Sequence, residues 1–297
     1  MPLTDEVRAR CAQIAATARS VRIDLDAAAQ VQPAPPPALD PACHYLEGEP
    51  ADVADYLLAL DAINFGSGWF PTLRKRTREG APVSGYLTVA WALADHVRAH
   101  GPPRSAWLAT LDTREIAGIL GQAADNELMS LYAQALRALG RFLLGPPARR
   151  ALDLVTEADG SAERLAERLA RAMAMFDDRG FYKRAQIVPN DLALAGVARF
   201  ADLDRLTIFA DNLVPHVLRC DGVLVYEQEL AARIDSGTPL EAGGAEREIR
   251  ACALHACELI SKRTGVPART LDTWLWTRGQ SSEYKSRPRH RCRTVFY

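Results

Sequence analysis

The chain contains no run of apolar residues near the roughly 18 that a membrane-spanning helix needs, so a membrane span is not expected. It also lacks any C-x-x-C pair. Its six cysteines (Cys11, Cys43, Cys220, Cys252, Cys257 and Cys292) are scattered through 297 residues. That spacing does not match the usual zinc-binding patterns. The opening MPLTDEVRAR has no apolar stretch of the signal-peptide kind, so the thiols read as reduced and the protein as soluble and cytoplasmic. Cys252, His255 and Cys257 come nearest to a ligand set, yet on a helix positions 255 and 257 point about 200° apart. Packing is the better reading for them, and neither a metal nor a cofactor is called for. An excess of one charge is missing too. Lys and Arg number 36 against 37 Asp and Glu, a net of −1, which argues against a protein that grips a long nucleic acid through its phosphates. Strand signals are scarce, and no repeat period is evident.

Helical periodicity fills most of what remains. Apolar residues make up 48% of the chain, and this length can bury a large core. Val7, Cys11, Ile14 and Ala18 mark a first amphipathic helix, which ends before the Pro-rich QPAPPPAL of residues 32–39. That stretch cannot be helical and reads as an extended connector. Further helices are predicted over Ala51–Ile63, Gly85–His100, Asn126–Leu144, Ala245–Thr264 and Pro267–Thr277, with another starting at the N-cap candidate Ser161 and reaching Phe176. A helix start is placed at Asn190–Leu194, and Thr294–Tyr297 is the best strand candidate. The expectation is an all-α chain forming a single compact domain over 1–297, of which 1–40 supplies the first helix and the connector.

Residues 176–216 carry the most information. Asp211 follows five uncharged residues, Leu206–Ala210, where burial disfavours an ionised carboxyl unless something offsets it. It is either the cap of a helix through Leu213, Val217 and Leu218 or a catalytic carboxylate, and local sequence leaves both open. Lys183 precedes it on the same stretch.

Three other segments stand out. Leu60–Pro71 breaks a helix into a Gly66-Ser67-Gly68 turn flanked by Phe65 and Trp69, which suits either a wall stacking on a flat ring or a helix end with a core tryptophan. In Leu271–Gln280, Asp272 and Trp276 are four apart and share a helical face, for holding a heteroaromatic base or for capping and core. From Leu271 onward six Lys/Arg face two acids. That is either a small-phosphate site or a solvated tail.

Taken together, FYKRAQI, LTIFADNLVP, LDAINFGSGWFP, EIRACALHACELI, LDTWLWTRGQ and the ending HRCRTVFY resemble the queuosine salvage family, in family order, over about residues 44–297. The resemblance implies a queuosine 5′-monophosphate N-glycosylase that releases queuine and ribose 5-phosphate. It also implies a fold akin to the helix-hairpin-helix DNA glycosylases. There a Leu-Pro-Gly-Val-Gly hairpin precedes an aspartate; here Leu194-Ala195-Gly196-Val197-Ala198 precedes Asp211, and Ala198 replaces the second glycine. That departure weakens a backbone nest for DNA phosphate.

On this reading Asp211 stabilises or captures the ribosyl cation. Lys183 contacts the phosphate, orients Asp211 or assists the leaving group. Asp272 meets the base or its ammonium-bearing arm, and Phe65, Trp69, Phe209 and Trp276 stack. His44 and Ser67 belong to the binding set, and Arg278, Tyr284, Lys285 and Arg287 are candidates for the phosphate. The expected partner is a small molecule, with no nucleic acid polymer and no membrane. Two alternatives stay open: a DNA glycosylase or lyase using Lys183 as a Schiff base, and a non-catalytic base-binding carrier.

Overall fold

A computed structural model describes residues 1–297. It is built from 15 α-helices and two small two-stranded antiparallel ribbons. No helix is long and apolar enough to cross a membrane. Two cores organise the helices. The larger surrounds Pro50–Ala62, whose residues 53–62 are all buried. This helix is apolar almost all round, so neighbours must cover every side of it. Gly85–His100, Glu127–Leu144, Ala151–Glu157 and Lys183–Leu194 do so. The smaller core surrounds Gly244–Thr264, packed by Leu3–Thr17, Val214–Cys220 and Ala268–Arg278. Tyr182 packs against both cores.

Several helices start at a side-chain cap that the local sequence supplies. Ser84 accepts from Leu87 N at 3.1 Å, Asn126 from Leu128 N at 3.1 Å and Ser161 from Arg164 N at 3.1 Å. Each satisfies an amide that has no partner in its own helix. The 161–176 prediction divides, with an α-helix over Ala162–Ala172 and a 3₁₀ turn over Ala174–Phe176.

Two sequence expectations are corrected. The helix placed at Asn190–Leu194 begins seven residues earlier and runs Lys183–Leu194, with Pro189 inside it. An interior proline forfeits one hydrogen bond and costs about 3 kcal/mol, but residues 183–192 are all buried, and that packing outweighs the break. Thr294–Tyr297 is not a strand. It is a docked tail, with Val295 O bonded by Arg184 and Tyr297 O accepting from Gly66 N at 3.0 Å. The longer of the two ribbons pairs Val21–Ile23 with Leu224–Tyr226. Three residues a side are too few to show a period-2 pattern.

The turn after Lys183–Leu194 has Gly196 at φ +73°. It leads into a 3₁₀ turn at Leu203–Arg205, and the next α-helix starts only at Val214.

Arg184 ties these parts together. Its guanidinium, 1% exposed, donates to the carbonyls of Ala62, Met175 and Val295. It lies over the rings of Phe65 (4.6 Å) and Phe176 (5.1 Å). Arg184→Met is expected to leave three carbonyls without a donor and to lower stability by about 3 kcal/mol or more. A urea midpoint within error of wild type would refute this role.

Candidate active site

A cavity of about 450 Å³ opens between the two cores, within the range of small-molecule pockets. The Lys183–Leu194 helix gives one wall. Lys183, Ile187, Asn190, Asp191 and Leu194 line it, a spacing that puts all five on one helical face. Opposite, Asp272, Thr273, Trp276, Thr277 and Gln280 line it from Ala268–Arg278. Phe65, Ser67 and Phe70 come from the loop after Pro50–Ala62, Phe209 and Asp211 from the extended segment before Val214–Cys220, and Arg289 and Tyr297 from the tail. The Pro-rich connector closes one side through Pro37–Asp40.

Asp211 holds the start of the next helix, one of the readings its sequence left open, and it also lines the cavity. Oδ1 accepts from Leu213 N at 2.7 Å and Val214 N at 3.1 Å, capping the next helix. The other oxygen makes no hydrogen bond within the protein, on a residue that lines the cavity.

Lys183 is 5% exposed and donates from Nζ to Asn64 O (2.8 Å) and Asn64 Oδ1 (2.9 Å). Burial lowers its pKa to about 8, opposed mainly by the charge of Asp211. Asp272 accepts from Phe209 N at 2.8 Å; burial, then the charge of Asp211, pushes its pKa up to about 8. Burial likewise raises Asp191 to about 6. Behind them Asp61 is fully buried and neither of its carboxyl oxygens has a hydrogen-bond partner; burial, then Asp191, holds its pKa well above the ordinary range. Lys183 and Arg289 thus face four carboxyls, and burial favours the protonated form of Asp61, Asp191 and Asp272.

At the mouth, His44 Nδ1 donates to Asp40 O at 2.9 Å, which leaves Nε2 to accept from Tyr86 OH at 3.0 Å. Burial lowers the pKa of His44, in keeping with this neutral form. Tyr86 meets Trp276 edge to face, with centroids 5.6 Å apart at 85°, which fixes the indole against the cavity. Ser67 Oγ is buried without a partner. The turn holding it needs its glycines: Gly66 has φ +107°, and a Cβ on Gly68 would fall 2.3 Å from Cys292 O.

The structure brings Lys183, Asp211, His44, Phe65, Ser67, Phe209, Asp272 and Trp276 to one cavity. It does not bring Trp69, Arg278, Tyr284 or Lys285 there. Trp69 Nε1 donates to Glu127 at 2.7 Å. Arg278 pairs with Asp221 at 2.6 Å, and Tyr284 OH donates to the same carboxylate at 2.7 Å. Arg287 pairs with Asp235 at 3.4 Å, also away from the cavity. Sequence reasoning missed Asp61, Asn64, Tyr86, Asp191 and Arg289. Asp191 had a signal, two turns beyond Lys183 on the same face, hidden by starting the helix too late. Tyr86 and Arg289 had none, since only folding carries them to the cavity.

A family model described as queuosine salvage protein matches residues 43–297. The queuosine 5′-phosphate N-glycosylase/hydrolase of Sphaerobacter thermophilus is 34% identical over 305 residues, covering 94% of this chain and 94% of that protein. Proteins of the same name from Bos taurus (29% identical, 86% and 85% covered) and Schizosaccharomyces pombe (26%, 78% and 77%) are also similar. The chain belongs to the queuosine salvage protein family.

Proposed function

We propose that the protein hydrolyses the N-glycosidic bond of queuosine 5′-phosphate, releasing queuine and ribose 5-phosphate. The observation that carries the reading is the Asp211 carboxyl: one oxygen is held by two backbone amides and the other is free at the wall of a nucleotide-sized cavity. The relatives' names give the substrate.

When C1′–N9 breaks, the bonding pair leaves with the base and positive charge builds on the sugar. The free oxygen of Asp211 stabilises that charge electrostatically, in a site where water does not screen it. Water then adds to C1′ and gives up a proton, and the base gains one. A 7-deazaguanine has carbon where purines have N7, so the proton that helps a purine leave has no place there. Carboxyls kept protonated near neutral pH are suited to meeting the rest of the ring, and Asp272 does so on the face it shares with Trp276. Lys183, fixed by Asn64, supplies the counter-charge that lets Asp211 stand beside Asp191 and Asp272.

Arg289 takes the 5′-phosphate. It lines the cavity, is half-buried and has no ion pair within the protein. A guanidinium is suited to forked hydrogen bonds with phosphate. Arg289→Gln is expected to raise KM for the nucleotide about tenfold and to leave KM for the free nucleoside nearly unchanged. Equal losses on both substrates would reject the assignment. The six free cysteines accord with a reducing compartment, and we assign the reaction to the cytoplasm.

The reaction is tested directly by incubating the protein with queuosine 5′-phosphate and assaying free queuine. Tight binding of queuine with no turnover would point to a carrier instead.

A further inference from the structure

The six cations of the tail fall into two groups. Arg278 and Arg293 are paired with Asp221 and Glu127, and Arg287 shares Asp235 with Arg219. Lys285, Arg289 and Arg291 have no ion pair and no side-chain hydrogen bond. Lys75, from a different part of the chain, joins the second group. Burial, and then the like charges of Arg289, Arg291 and Lys285, lowers its pKa.

The backbone of the tail is docked on the body, although the side chains of Lys285 and Arg287 reach solvent. Arg291 O accepts from Leu240 N at 2.8 Å, and His290 O from Asn212 Nδ2 at 3.0 Å. His216 Nε2 donates to Tyr284 O at 2.8 Å, just before Lys285. The Gly68 backbone packs on Cys292, bringing the loop that leads to Lys75 against the tail. Apart from Asp211, which acts on Arg289, these four like charges have no counter-charge beside them, and they repel one another unless an anion relieves them. One phosphate at Arg289 does not need three more cations outside it.

We propose that Lys75, Lys285 and Arg291 form a second anionic subsite, continuous with the cavity through Arg289, for a further phosphate on the 5′ side of the bound nucleotide. Two ligands share that chemistry: a nucleoside 5′-diphosphate, and a short RNA fragment whose last residue is the modified nucleotide. In the second, the 5′-phosphodiester would sit at Arg289 and the preceding phosphate would lie further out. The inference rests on the reading of Arg289 as the contact for the first phosphate.

The test compares queuosine 5′-monophosphate, queuosine 5′-diphosphate and a 5′-phosphorylated dinucleotide ending in queuosine, on wild type and on a Lys75→Gln/Arg291→Gln double variant. With wild type at low salt, at least one two-phosphate ligand is expected to show a KM about tenfold below that of the monophosphate. The advantage should shrink as salt is raised past the point where the Debye length falls to about 8 Å. In the double variant the advantage should vanish while kcat on the monophosphate stays within twofold. A gain for the diphosphate alone identifies a free nucleotide; a gain for the dinucleotide identifies an RNA end. Equal KM for all three ligands on wild type, or a gain that survives in the double variant, overturns the subsite. Failure of wild type to cleave the monophosphate is a separate result, and it would overturn the hydrolase reading instead.

Discussion

Asp211→Asn is expected to lower kcat on queuosine 5′-phosphate by about a thousandfold or more, some 4 kcal/mol of transition-state stabilisation, while the protein stays folded. The substitution separates the two jobs of this residue. The amide carbonyl of asparagine can still accept from Leu213 N and Val214 N, so the cap on Val214–Cys220 survives. What is lost is negative charge at the cavity wall. KM should change little, because the charge matters when C1′ becomes cationic and much less before. Single-turnover release of queuine, with circular dichroism as the fold control, measures both predictions. Wild-type turnover by a folded Asp211→Asn protein would remove Asp211 from the mechanism.

Asp272→Asn is expected to act in opposite directions on activity and stability. Burial raises the Asp272 pKa from 3.8 to about 8, so between those values the folded protein keeps a proton that the unfolded chain gives up. Stability therefore falls as pH rises through that window, by up to about 1.4 kcal/mol per pH unit. It is restored as pH drops below the unfolded value. Asparagine removes the titration while still accepting from Phe209 N. The Tm-versus-pH curve should flatten between pH 4 and 8, Tm at pH 7.5 should rise by several degrees, and activity should drop about a hundredfold. A Tm curve with the wild-type slope would mean that this carboxyl is not held protonated. Such a trade of stability for function is common where active sites keep ionisable groups buried.

Much of the cavity lining was legible beforehand because its residues carry local signals. Asp211 betrayed itself as a charge after five uncharged residues, and Asp272 and Trp276 as a pair four apart. The phosphate end was harder to read. Arg278 and Arg289 are both arginines of one basic tail, and nothing local tells which of them has its own aspartate. Asp221, which occupies Arg278, is 57 residues away from it in the chain. Asp61 was equally hidden, since its lack of partners is a property of what packs around it.

The sequence by itself determined a mainly helical chain, the ends of its longer helices and the family to which it belongs. Periodicity and caps act over a few residues, and the family motifs are contiguous words. Tertiary structure alone decided which charges are free. An ion pair forms between groups distant in sequence, and burial depends on every neighbour at once. Packing around Pro189 likewise overrode the local rule against proline and placed Lys183 and Asp191 on one face of one helix.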